Sequence, residues 1–179
     1  MDQSKIEVTG FYESPYIPNR PLSQPGHRRV CFLGQPWYKY SEDIGKKYLK
    51  ITCNIFEIVR KQGVKIFYKP HPWEDMSVYS PIFEEYLSIS LHECFEQCDV
   101  FVSFTSTALL QAEYAGRISV QIKDSIFNCD DFSIYNGVYS IEYEDAFFSK
   151  KFFDIINIDK CIVNYSNCSV SNIIKVISD

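Results

Sequence analysis

The strongest constraint on this chain is a regular alternation of short apolar runs with longer amphipathic ones. "RVCFLG" (29–34), "VKIFYK" (64–69), "DVFVSF" (99–104), "RISVQI" (117–122) and "GVYSIEY" (137–143) are brief and rich in β-branched and aromatic residues. Such runs predict strands, and the near-continuous apolar character of "DVFVSF" is that of a parallel strand covered on both faces. Between them lie helical patterns. In "SEDIGKKYLKITCNIFEIVRKQG" the residues Ile44, Tyr48, Ile51, Ile55 and Val59 fall on one helix face, and Gly63 stands where a helix-terminating glycine belongs. In "SLHECFEQC" Ser90 and Glu93 have capping-box spacing, and Leu91, Cys94, Phe95 and Cys98 form an apolar stripe. "TSTALLQAEYAG" predicts a helix ending at Gly116. Strand alternating with helix over this length predicts an α/β domain with a Rossmann-like parallel sheet flanked by helices. Residues 124–136 read as a loop, and the C-terminal stretch is ambiguous apart from a final helix in "SNIIKVIS".

Residues 1–29 differ. Pro15, Pro18, Pro21 and Pro25 interrupt any periodicity, so this segment reads as a proline-rich arm or interdomain linker, with the ordered domain running from 30 to 179. The net charge of −5 and the lack of a Lys/Arg cluster leave no source for the phosphate-backbone attraction of a nucleic-acid partner. No run approaches the length of a membrane span, and the N-terminus has no apolar signal-peptide core. The seven cysteines form no CxxC pair and no zinc-type cluster; they read as reduced, mostly buried thiols of a cytoplasmic protein. Cys94 and Cys98 have the spacing of two metal ligands, but their face is the core face, and no metal is expected.

In open α/β sheets ligands bind beyond the carboxyl ends of the strands. Three strand ends here carry unusual residues: "LGQPW" (33–37), "KPHPWED" (69–75) and "SFTSTALL" (103–110). Thr105, Ser106 and Thr107 occupy a turn from strand to helix, where hydroxyls and unpaired backbone N–H groups suit a phosphate; the plainer reading is that one hydroxyl simply caps the helix. Pro70 and Pro72 stiffen the backbone around His71, and an imidazole beside a phosphate donates a hydrogen bond and gains basicity. The plainer reading is a strand-ending turn whose histidine satisfies a neighbouring carbonyl. Lys69 adds charge, although alternation points it away from the crevice. Trp73 suits either a nucleobase cover or a rim contact. His92 and His27 read as solvated, and Glu74 and Asp75 as ordinary loop acids.

The pairing of "YKPHP" with "DVFVSFTSTALLQAEYAG" resembles the C-terminal, nucleotide-binding half of two-domain GT-B glycosyltransferases. Within that group it is similar to bacterial sialyltransferases of the lipooligosaccharide and capsular polysialyltransferase type. The likeness runs over about residues 30–123 and includes "FLGQPW" as the opening strand and loop. It implies that His71 and Pro72 form an HP motif, with His71 contacting the donor phosphate and stabilising the CMP leaving group. It implies that Thr105, Ser106 and Thr107 are the hydroxyl motif, and Gly34, Gln35 and Lys69 join the donor-binding set. The donor substrate would be a CMP-activated sialic acid or related sugar, with no further cofactor, and the acceptor a cell-surface glycan. Leu110-Gln111-Ala112 departs from the Leu-Glu-Ala common in that helix, and Arg117 follows Gly116 where a proline is often found, so no ribose contact is assigned. Only one GT-B half is visible. An N-terminal acceptor domain, in cis or in trans, would supply the general base, and this part in isolation would bind nucleotide and turn over little. Cytoplasmic placement, with peripheral association at the inner membrane face left open, goes with that reading. Two alternatives stand beside it: a ketodeoxyoctonate transferase or teichoic-acid-type glycerophosphotransferase with another donor, and a non-catalytic nucleotide-binding or assembly domain.

Overall fold

The computed structural model describes residues 16–79, 83, 86–127, 131–134 and 137–158. Five strands, β1 (Val30–Leu33), β2 (Ile66–Lys69), β3 (Val100–Ser103), β4 (Ile118–Lys123) and β5 (Val138–Glu142), form one sheet in the order β2-β1-β3-β4-β5. Every neighbouring pair is parallel. The helices are α1 (Trp37–Tyr40), α2 (Glu42–Lys61), α3 (Met76–Tyr79), α4 (Leu91–Gln97), α5 (Ala108–Tyr114) and α6 (Phe148–Ile156). The domain is a Rossmann-like α/β fold, as the alternation predicts.

Strand alternation sends successive side chains to opposite faces and so builds two cores. Val30 and Phe32 of β1, with Val100 and Val102 of β3, pack under Tyr48, Ile51, Ile55 and Val59 of α2 and Phe148, Phe152 and Ile156 of α6. Cys31, Leu33 and Phe101 face the other way, under Cys94 and Phe95 of α4 and Leu109 and Ala112 of α5. The chain therefore leaves β1 towards one face and β3 towards the other. Cys94 and Cys98 lie in this second core, and among the described residues no group of three His, Cys, Asp or Glu side chains is placed to hold a metal ion. Cys129, Cys161 and Cys168 lie outside the described residues.

Local signals explain the helix ends. Ser41 caps α2, with Glu42 and Asp43 in the first turn and Arg60 and Lys61 in the last, each complementing the helix dipole. Gly63 and Gly116 take positive φ (74° and 72°) just beyond α2 and α5, as helix-ending glycines do. The capping box of α4 is formed in both directions: Ser90 Oγ accepts from Glu93 N–H (3.2 Å) and Glu93 Oε2 accepts from Ser90 N–H (2.8 Å).

Five elements differ from the sequence reading. α5 begins at Ala108 rather than at Thr105, because the turn before it is held by side chains: Gln35 Oε1 accepts from Thr105 N–H (3.2 Å) and Ser106 Oγ from Ala108 N–H (3.3 Å). The short α1 and α3 and the longer α6 were not anticipated. The loop read at 124–136 contains a 3-10 turn over Phe132–Ile134. The helix read in "SNIIKVIS" lies outside the described residues.

Residues 16–29 carry no helix or strand, yet they are fixed to the amino ends of the strands. Asp99, fully buried at the foot of β3, accepts from Ser23 N–H (2.8 Å), Arg29 N–H (2.9 Å) and the Arg20 guanidinium (2.8 Å). Arg117 Nη2 donates to the Arg20 carbonyl (2.8 Å), and buried Arg28 donates to the Ile156 carbonyl at the end of α6 (2.6 Å). His92, exposed, stacks on Tyr16 with ring centroids 4.6 Å apart; His27 is exposed. Among the described residues no helix is long and apolar enough to cross a membrane.

Candidate functional site

An order of 2-1-3-4-5 has its topological switch point between β1 and β3, whose connections leave for opposite faces and open a crevice at the carboxyl ends. A cavity of about 570 Å³ lies there, lined by Gln35, Pro36, Trp37, Tyr40, His71, Trp73, Thr105, Ser106 and Thr107. Residues from the ends of β1, β2 and β3 thus meet around one space. Of the residues singled out from sequence, Gln35, His71, Thr105, Ser106 and Thr107 line it directly. Gly34, Lys69 and Pro72 do not.

Lys69 sits at the last position of β2, and its ammonium donates to the Pro70 carbonyl (3.3 Å). Its neighbour Phe67, on the same side of the strand, packs into the second core, so alternation carries Lys69 off the crevice. Gly34 has another reason to be glycine. A Cβ there would collide with the Glu74 carboxylate and the Tyr68 hydroxyl.

His71 is half-buried, and its Nδ1 accepts a hydrogen bond from Trp73 N–H (3.1 Å). With Nδ1 accepting, the proton of the neutral ring is on Nε2. Burial, reinforced by the positive charges of Lys69 and Lys39, holds the imidazole below its ordinary pKa. In the free pocket His71 is a neutral donor. The Gln35 side chain bridges the crevice floor. Its Oε1 accepts from Thr105 N–H and stands 3.3 Å from the Ser103 hydroxyl, which also donates to the Leu33 carbonyl (3.0 Å). Its amide NH2 has no hydrogen-bond partner among the described residues. The backbone N–H groups of Ser106 and Thr107 likewise have none.

The remaining wall is aromatic. Tyr40 and Trp73 are 69% and 63% exposed, unusual for rings of that size, and both border the cavity. Trp73 sits edge-on to His71 at 5.6 Å, with the Lys39 ammonium over its face at 4.6 Å. Trp37 packs inward on Phe127, and its indole N–H is buried with no hydrogen-bond partner among the described residues. Buried polar groups without a partner are few in native proteins.

Sequence reasoning passed over Glu74 as a loop acid. It is half-buried, and its two oxygens accept from the Tyr68 hydroxyl (2.6 Å) and from His71 N–H (2.7 Å). Burial pushes its carboxyl above the ordinary glutamate value, against the pull of those hydrogen bonds. The available signal was the tight spacing of Glu74 behind "KPHP", where a carboxylate at i+3 reaches back to the N–H of position i. Glu113, two positions beyond Gln111, is buried and lies against Gly137.

No family model matches the chain, and no curated protein does. Among solved structures it is similar to KpsC of Thermosulfurimonas dismutans, a beta Kdo 2,7 transferase. The two share 18% identity at a TM-score of 0.43, over 70% of this chain and 42% of that one. The chain thus spans less than half the length of that protein.

Proposed function

We propose that this chain is the donor-binding part of a glycosyltransferase that takes a CMP-activated sugar, sialic acid or a related acid, and passes it to a cell-surface glycan. The observation that carries the reading is the convergence of His71, Gln35 and the hydroxyls of Thr105, Ser106 and Thr107 on one cavity at the β1/β3 switch point, beside an exposed aromatic wall. A nucleotide phosphate suits the polar end, where each donor is either a hydroxyl or an N–H. Trp73 and Tyr40 suit a base or a sugar ring laid flat.

In this reading His71 Nε2–H and the hydroxyls donate to the phosphate. Transfer breaks the bond from the sugar's anomeric carbon to a phosphate oxygen, and negative charge grows on the departing CMP. Fixed donors in a partly desolvated cleft stabilise that charge, and losing one costs on the order of 100- to 1000-fold in kcat at comparable sites. The acceptor hydroxyl and the base that deprotonates it come from a further domain, in cis or in trans.

Calorimetric titration with CMP, CDP and UDP tests this. The expected result is measurable CMP binding, weakened roughly tenfold to hundredfold by His71→Ala, the worth of one hydrogen bond to a charged group. Tight UDP binding with none for CMP would sink the CMP donor, and unchanged CMP affinity in the alanine variant would make His71 structural.

A further inference from the structure

A chain of hydrogen bonds runs behind the pocket and joins two of its walls. Gln35 N–H donates to the Tyr48 hydroxyl (3.1 Å), which stands 3.1 Å from the Tyr68 hydroxyl, and Tyr68 donates to Glu74 Oε1. Glu74 Oε2 then accepts His71 N–H. Because an ionised carboxylate only accepts, the direction of every proton in the row is set: Tyr68 must donate to Glu74, so Tyr48 must donate to Tyr68, and the Tyr48 oxygen is left to receive Gln35 N–H. Tyr48 and Tyr68 are fully buried, away from the solvent-exposed surface. The row therefore has one acceptor sink, and it is Glu74.

We infer that Glu74 is a positioning residue for the pocket: its ionised carboxylate, through Tyr68 and Tyr48, locks the loop of Gln35 to the loop of His71, so that ligand affinity depends on a proton two bonds removed from the ligand. The inference deepens the proposed function, on which its ligand arm rests. Gly34 belongs to the device, since the space its missing Cβ would fill is occupied by Glu74 and Tyr68. The groups facing the carboxylate are Tyr68 from β2, Tyr48 from α2, Tyr79 from α3 and the backbone N–H groups of His71 and Gln35, with Asp75 adjacent in sequence; Gln35 thus senses Glu74 both directly and through the tyrosine row. Among the described residues Glu74 makes no ion pair, so no cation competes with the hydroxyl row for its charge. Burial raises its carboxyl towards the range where the lock is released by mild acid.

Glu74→Gln keeps the shape and removes the sink. Its amide oxygen accepts from His71, but its NH2 must donate to Tyr68. Tyr68 then donates to Tyr48, and the buried Tyr48 proton loses its acceptor. Tyr68→Phe cuts the row while sparing the bond between Glu74 and His71.

The test is an NMR pH titration of the full chain without ligand, following the backbone amides of Gln35 and His71. In the wild type both move with one shared midpoint above the ordinary glutamate value. In Tyr68→Phe the His71 amide keeps its full shift while the Gln35 shift shrinks to the part set by its direct approach to Glu74, and in Glu74→Gln neither amide shows the midpoint. CMP affinity falls about tenfold in Glu74→Gln, the loss of one charge-assisted hydrogen bond. A Gln35 amide that ignores the Glu74 midpoint in the wild type, or whose shift is undiminished in Tyr68→Phe, overturns the inference. Should the wild type show the shared midpoint and bind no nucleotide, the lock stands and the CMP reading falls. If Glu74→Gln does not fold, the wild-type and Tyr68→Phe titrations still decide the matter.

Discussion

His71 enters binding as a neutral ring, and a phosphate changes that. The free imidazole is held below its ordinary pKa, chiefly by burial and then by Lys69 and Lys39. A bound anion favours the imidazolium, so the bound-state pKa is higher than the free one. Binding then takes up a proton between the two values. Affinity is highest on the acid side of this window and is lost as pH rises through the bound-state pKa. From about pH 6 to 8, calorimetry in buffers of different ionisation enthalpy is expected to show more proton uptake on CMP binding in the wild type than in His71→Ala. The subtraction removes the nucleotide's own ionisation. Equal uptake in the two proteins would place the proton elsewhere. At lower pH, protonation of Glu74 acts in the opposite sense by releasing the lock. Of these residues His71 and the three hydroxyls were legible in sequence, because prolines and strand-end position marked them. Glu74 was not, since its role comes from a desolvated space that only the approach of Gly34 and Tyr68 creates.

The elements divide by how their ends are signalled. α4 has only seven residues, too few for helix propensity alone to hold it, and so leans on its cap and its buried face. Ser90→Ala is expected to cost about 1 kcal/mol, read as a lower denaturation midpoint with an unchanged slope; no change would mean that packing of Cys94 and Phe95 suffices. Strands β1 to β5 and helices α2, α4 and α5 were legible because periodicity, caps and terminal glycines agreed. α6 was not. Its residues "FSKKFFDII" do repeat at helical spacing through Phe148, Phe152 and Ile156, but they are aromatic and β-branched, and Phe147 before them offers no side-chain cap. Tertiary burial against β5 and the first core makes the helix. The onset of α5 was misplaced for a similar reason: hydroxyls at 105–107 look like helix starters until Gln35, from another strand end, ties down Thr105 N–H.

At the scale of the molecule the two ends of the sheet do different work. The carboxyl end holds the crevice, and the amino end is closed by the segment before β1 through Asp99. Burial alone pushes the Asp99 carboxyl up, and hydrogen bonds from Ser23 and Arg29 with the Arg20 charge outweigh it, holding the group below its ordinary value. A depressed acid contributes stability that is complete above its unfolded pKa and is lost as pH falls through the folded one. Asp99→Ala leaves two part-buried N–H groups and one nitrogen of the Arg20 guanidinium without this acceptor and is expected to cost on the order of 3 kcal/mol. Urea denaturation would measure this, and a cost under half that size would mean the segment is held by its other contacts. The switch point also sets the order in which the molecule assembles. β1 pairs with β2 from Val30 to Ile66, but with β3 from Val30 to Val100, the most distant pairing in the sheet. Loop-closure entropy makes the nearer pairings easier to nucleate. On that ground the crevice is expected to form only when the β1–β2 and β3–β4 halves join, after the nearer pairings. A ligand seated there accordingly slows unfolding and leaves the folding rate nearly unchanged, so it lengthens the life of the finished molecule without helping to make it.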